Sequence, residues 1–200
     1  MTEQQPYDVI RTYDTFELRR YPSHLLAEAI VDAPFEDAGN KAFRYLFGYI
    51  GGENVANSKI AMTAPVVQAD ASSRIAMTAP VVQQLDSGVA GVAGSTGFRV
   101  AFLLPADLTA ERAPRPTNPR VSLRAVPESH VAAIRYRGRW TEESYARHLD
   151  ELKSALSAAG LISTGQPRFA RFDPPFLPAF LRHNELMLDV KEPPAAEPVG

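Results

Sequence analysis

The side chains able to do chemistry in this chain are few and widely spaced. There are no cysteines, which excludes disulfides, thiolate metal sites and a Cys nucleophile. Four histidines are present. His24 falls in a turn, His130 begins a strand, His148 lies on a helix and His183 sits in an RHNE segment. No two of them have metal-ligand spacing, and each reads first as a surface or hydrogen-bonding residue. Glu185 opens a strand between Asn184 and the run Leu186-Met187-Leu188. In an apolar pocket its pKa would rise and it could move protons near neutral pH. The alternative is a structural acceptor for Arg182 or backbone amides. Tyr136 and Trp140 are candidates for the wall of such a pocket, or for core packing. There is no G-x-S-x-G, no glycine-rich phosphate loop and no H-E-x-x-H. Gly88, Gly91, Gly94 and Gly97 recur every three residues but follow no strand-to-helix pattern.

A second feature is repetition. Lys59-Ile-Ala-Met-Thr-Ala-Pro-Val-Val-Gln68 returns as Arg74-Ile-Ala-Met-Thr-Ala-Pro-Val-Val-Gln83, an offset of 15 with nine consecutive identities. The plainer reading is two neighbouring strands with matching turns, the proline marking an edge or strand end. The sharper one is a paired methionine feature beside a ligand, although apolar Met usually fills gaps in a core.

The elements that must position these groups follow from pattern. The 200 residues are 45% apolar and 22% charged, as expected of one globular domain. Lys plus Arg is 21 against 23 for Asp plus Glu, a formal net charge of −2, so binding to a phosphate backbone has no broad electrostatic basis. No apolar run approaches the roughly 20 residues that span a bilayer. The polar start Met1-Thr-Glu-Gln-Gln-Pro6 lacks signal-peptide character, and a cytoplasmic location is expected. Tyr13–Tyr21 and Leu25–Val31 read as two strands of a hairpin. A helix over about 35–50 follows, with Asp32 as its cap, Pro34 in its first turn and Gly51-Gly52 as its stop. Phe98–Leu104 is a further strand. The second half repeats the order. Val121–Val126 and His130–Tyr136 are strands, and Thr141 caps a helix over about 141–159. That helix carries Tyr145, Leu149, Leu152, Leu156 and Ala159 on one face and closes at Gly160. Arg168–Phe172 and Glu185–Val190 are the last strands. Each half reads strand-strand-helix-strand-strand, implying a pseudo-two-fold α+β domain over about 7–190, with repeats at about 7–105 and 120–190. Residues 86–97 read as a flexible loop, and the proline-rich 192–200 as a disordered tail.

The first helix is apolar over roughly half its circumference, wider than the usual stripe of about 100°. Phe35, Ala38, Ala42, Leu46 and Tyr49 form one flank, and Phe43, Phe47 and Ile50 the other. One flank can pack on a sheet. The second is either covered by the proline-rich C-terminal loop or left as a groove for a ligand.

IAMTAPV after a helix ending in YIGG resembles the SOUL haem-binding-protein family. So do FELRRYP, FLLP, APRPTNPRV and FDPPF with RHNELML, in that order from about Tyr7 to Val190. The resemblance implies a distorted β-barrel of two repeats flanked by two helices, similar to gyrase-inhibitor-like effector domains. It also implies non-covalent haem or another tetrapyrrole as ligand, in binding, buffering or transfer rather than redox turnover. Carried over by position, the haem-contacting residues are Asn40, Phe43, Phe47 and Gly48, with Leu177 from the loop after the DPP motif. Relatives have basic residues at several of these places, where this chain has Asn40, Gly48 and Leu177. Lys41, Arg44 or Arg182 are the cations that could meet propionates instead. Where a relative has a proposed axial His, this chain has Arg20, leaving His183 and His24 as weak candidates for iron. The gyrase-inhibitor-like likeness implies an alternative: small-molecule binding or hydrolysis with Glu185 in the pocket between repeats.

Overall fold

The strand and helix order expected of each half is the order found in a computed structural model, which describes residues 3–56, 59–60, 63–70, 97–173 and 177–191. The elements are β1 (Glu3–Gln4), β2 (Asp8–Thr12), β3 (Glu17–Tyr21), β4 (His24–Asp32), α1 (Phe35–Gly51), β5 (Thr63–Asp70), β6 (Gly97–Leu103), β7 (Val121–Val126), β8 (Ser129–Arg137), α2 (Glu142–Ala158), β9 (Ser163–Arg171) and β10 (His183–Val190), with a 3-10 turn at Ala179–Leu181. The class is α+β. The second copy of the duplicated segment, residues 86–96 of the glycine-rich stretch and the tail 192–200 lie outside the described residues.

The strands form one sheet in the order β2-β3-β8-β10-β9-β5-β6-β4-β7, with β1 pairing β5 in parallel. The repeats are β3-β4-α1-β5-β6 and β7-β8-α2-β9-β10. From β3 to β7 the order is a palindrome, since each strand of one repeat mirrors its counterpart in the other. The expected hairpin of the first two strands does not form. β3 pairs with β8, Glu17 opposite Ala133 through Tyr21 opposite Ser129, while β4 pairs with β6 and β7. Each repeat therefore hands its first strand to the other. Pro22 between β3 and β4, and Pro127 between β7 and β8, explain the exchange. A Pro-Ser or Pro-Glu pair supplies no residue suited to the positive φ that a two-residue hairpin turn requires, so each chain departs for a different part of the sheet. The described pairings run from β2 at one end to β7 at the other and do not close into a ring, so the barrel detail is not seen among them.

Both helices pack on one face of this sheet. Ala38, Ala42, Leu46 and Tyr49 of α1 are fully buried against Leu25, Ala27, Ala29 and Val31 of β4 and Val100 and Phe102 of β6. The alanines on both elements let the helix approach closely. Leu152 and Leu156 of α2, flanked by Tyr145 and Leu149, cover Ile134, Phe169, Leu186 and Leu188. Phe35, the first residue of α1, joins this second core rather than the first, with its ring 5.2 Å from that of Tyr145 and 5.5 Å from that of Phe169. Thr141 caps α2 as expected, accepting a hydrogen bond from Ser144 N at 3.2 Å. The start of α1 differs. Pro34 occupies the cap position with no side-chain hydrogen bond, and Asp32 ends β4. Gly52 stops α1 at φ 120°, where its amide returns to the Gly48 and Tyr49 carbonyls, a conformation that L side chains rarely adopt.

Candidate functional site

Two clusters hold the residues singled out by sequence, and the sheet keeps them apart. The first is the outer surface of α1. At 100° per residue Asn40, Phe43 and Phe47 share one stripe, and Arg44 lies on the next row. Phe43 is 40% and Phe47 54% exposed. Their rings stack at 5.4 Å with planes 16° apart, and Phe43 also meets Phe102 edge-on at 5.4 Å. Ile50, expected on the same flank, is buried. Two large, partly exposed rings side by side on a helix whose opposite side is fully packed are an unusual use of apolar surface.

The remaining members of that set are placed as follows. Asn40 is exposed and Gly48 half-buried. A side chain at Gly48 would point at the Glu53 carboxylate, with a Cβ only 2.5 Å from Oε2. Leu177 is half-buried, and its carbonyl accepts from Arg182 Nε at 2.7 Å. The loop carrying Leu177 is tied toward the first turns of α1 through stacked cations. Arg182 lies 4.6 Å from the centroid of the Trp140 ring and Arg171 4.7 Å from it. Arg171 in turn fills the space beside Gly39, where a Cβ would sit 2.5 Å from Nη1. Burial pushes the Arg171 guanidinium down to about 10. Trp140 also donates through Nε1 to Asn184 Oδ1 at 2.6 Å. Among the cations considered for propionates, Lys41 Nζ donates to the Asp32 carbonyl at 2.6 Å, and Arg44 is exposed.

The second cluster surrounds Glu185 on the opposite face of the sheet. Glu185 and Arg19 are each 1% exposed and face each other in a two-pronged pair, Nη1 to Oε2 at 2.7 Å and Nη2 to Oε1 at 3.0 Å. Arg135 Nε donates to Oε1 at 3.2 Å, and His183 Nε2 lies 3.3 Å from the same atom. Arg19 further donates to Glu17 and to the Tyr21 hydroxyl, and its guanidinium lies 4.2 Å from the centroid of the Tyr7 ring.

This corrects the expectation of a proton-moving Glu185, and it keeps the structural acceptor with different partners. Its acceptors are filled by Arg19, Arg135 and His183, whereas Arg182 serves Leu177. The carboxyl is also not raised. Burial pushes it up, but the hydrogen bonds from His183 and Arg19, reinforced by the Arg19 charge, outweigh burial and hold it down at about 2. Arg19 is correspondingly held above its ordinary range, the Glu185 pairing more than offsetting the opposing effect of burial. Burial pushes Tyr21 up to about 12. A carboxylate so fully paired is a poor proton acceptor near neutral pH. Tyr136 and Trp140, considered for a pocket wall, are engaged in packing and stacking contacts. Tyr136 stacks on His148 at 3.7 Å within the α2 core, and Trp140 joins the cation stack.

The histidines weighed for iron are committed elsewhere. The His183 ring stacks on Phe172 at 4.4 Å while meeting Glu185. His24 opens β4, and its Nδ1 lies 2.9 Å from the Pro22 carbonyl oxygen. No group of three His, Cys, Asp or Glu suited to a metal occurs among the described residues. Sequence reasoning did not single out Arg19, because nothing local to its strand names the distant Glu185 that it meets.

Comparison with known proteins follows the same outline. The family model described as SOUL heme-binding protein matches residues 2–74 and 67–189. Each matched segment holds one copy of the duplicated IAMTAPVVQ. No curated protein matches the chain by sequence. Among solved structures, the C-terminal domain of EcmrR superposes with a TM-score of 0.60 at 10% identity, over 92% of this chain and 98% of that one. A hydrolase from Listeria innocua superposes with the same score at 13% identity, over 91% and 94%. At such identities the likeness is one of fold.

Proposed function

Because the chain belongs to the SOUL haem-binding protein family, we propose that it binds haem or a related tetrapyrrole non-covalently on the outer face of α1, as a carrier or buffer of the ligand. The observation that carries this reading is the exposed, nearly parallel Phe43–Phe47 pair. A planar macrocycle laid on these rings would bury apolar surface at roughly 25 cal/mol per Å². Asn40 and Gly48 would border it, with Leu177 closing it from the loop that Arg182 and Trp140 tie down. Arg44 beside the stripe offers a cation to a propionate. The donor set suits the ring better than the metal. Taking iron on His183 would cost the Glu185 and Phe172 contacts, and His24 lies across the sheet. Haem here is cargo, held by its face with no histidine ligand from this pair. We read 7–190 as one unit on the strength of the exchanged first strands.

Haemin titration followed at the Soret band tests the site. Phe43→Glu and Phe47→Glu are each expected to weaken binding at least tenfold; Phe47→Glu should leave melting unchanged, whereas Phe43→Glu should also lower it, because Phe43 packs on the buried Phe102. Unchanged affinity in both variants removes this face from consideration.

A further inference from the structure

On the face of the sheet away from the helices, a cleft lies between the two halves, and its charged lining is mostly cationic. Arg99, Arg124 and Arg168 line it against one carboxylate, Glu28, with His24 and Ser129 beside them. The placement follows from register. Ala69 of β5 is opposite Arg99 of β6 on one side and Arg168 of β9 on the other. The two arginines therefore share a row across three strands, about 10 Å apart at their backbones. Side chains alternate between faces, so Leu26 and Glu28 of β4 face the cleft while Ala27 and Ala29 face α1.

The guanidiniums are only partly used. Arg124 holds Glu28 with Nε and Nη2, both at 2.7 Å, and Arg99 reaches the same carboxylate only at 3.8 Å. Arg168 is paired with Asp189 through Nη2. Arg99 Nε, Arg168 Nε and Ser129 Oγ are buried and have no hydrogen-bond partner. Buried donors in native proteins are almost always satisfied, and three unfilled ones on residues that line one cleft are costly. The missing partner is an acceptor. A cation is disfavoured, because Glu28 is already engaged and Glu185 is consumed by Arg19.

The geometry points to this cleft as a binding site for a small organic monocarboxylate, its oxygens taken by Arg99 and Arg168 and its short apolar end by Leu26, Leu103 and Met187. The space of about 50 Å³ is far below the roughly 300 Å³ at which drug-sized pockets begin. The enclosed part of the cleft therefore takes only a few carbons. Depressed basicity of the His24 imidazole, caused by burial and by the charges of Arg168 and Arg124, agrees with a cationic surrounding. The site is independent of the α1 face and stands or falls separately from haem binding.

Butyrate is the probe, with inorganic phosphate and tetraethylammonium as counter-probes, on the full chain by titration calorimetry. Saturable 1:1 butyrate binding with Kd on the order of 1 mM is expected, with phosphate weaker and tetraethylammonium silent. Arg99→Gln and Arg168→Gln should each weaken butyrate at least tenfold while leaving the haemin titration unchanged. Arg168→Gln frees Asp189 and could unfold the protein. The Nε–H resonances of Arg99 and Arg168 are therefore also followed by NMR in the unsubstituted chain, and both should shift with butyrate along one saturation curve. Absence of saturation, static resonances or a preference for the ammonium overturns the site. Tighter phosphate than butyrate overturns the carboxylate assignment.

Discussion

Arg19 and Glu185 show how a residue's meaning depends on what it faces. A buried two-pronged pair is worth little against a well-packed apolar substitute, but breaking it leaves an uncompensated charge. Glu185→Gln keeps the shape and removes that compensation, so it should cost about 3–5 kcal/mol in denaturant unfolding. Replacing both partners, Arg19→Met with Glu185→Leu, should recover most of the loss. Haemin affinity should be unchanged wherever the single variant remains folded. The pair also dictates an acid limit. The unfolded carboxyl titrates near its ordinary 4.5 and the folded one at about 2. Its stabilisation is therefore complete above pH 4.5, falls as pH drops toward 2 and is gone below it, a total of about 3 kcal/mol. A Glu185→Gln protein should lose this component of the pH dependence when unfolding is compared at pH 2.5 and pH 6.

At the scale of elements, helices were easier to read than strand pairings. The buried flank of α1 and the face of α2 follow directly from periodicity, because a helix's neighbours three and four residues apart are set by its own geometry. Three substitutions gauge these elements by denaturant midpoint. Leu152→Ala in the fully buried seam of α2 should cost about 2–5 kcal/mol, and loss of the Thr141 cap in Thr141→Ala about 1 kcal/mol. Gly52→Ala at φ 120° should cost about 1–3 kcal/mol through backbone strain alone. An unchanged midpoint for Gly52→Ala would mean that the turn relaxes without its left-handed residue. Adjacency in sequence favours a hairpin over Tyr13–Val31, whereas β3 pairs with β8 and β4 with β6 and β7. The proline in the connection was the local sign against it.

For the whole molecule, the exchanged first strands make the halves interdependent. β3 belongs to the first repeat but pairs with β8, and β7 belongs to the second but pairs with β4. Residues 7–105 and 120–190 expressed separately should each fail to give a dispersed amide spectrum, since each would lack an edge strand that covers its sheet. Mixing the two in equal amounts should restore the dispersed spectrum of the full chain. A fragment that folds alone would show that the exchange is dispensable.

Composition, periodicity and the ordered motifs from FELRRYP to RHNELML were enough to determine the α+β class, both helices, the duplicated half and the family. These properties are local or additive along the chain, and burial periodicity reports them residue by residue. The over-wide apolar arc of α1 was legible for the same reason, down to the exposed Phe43 and Phe47. Only the tertiary structure decided which strands pair, which acceptor Arg19 serves and that Arg99 and Arg168 flank one strand. Arg19 and Glu185 are 166 residues apart, and alternation names the face of a strand without naming what covers it. A charge read on a strand becomes a buried pair or a binding group only when a distant strand supplies, or withholds, its partner.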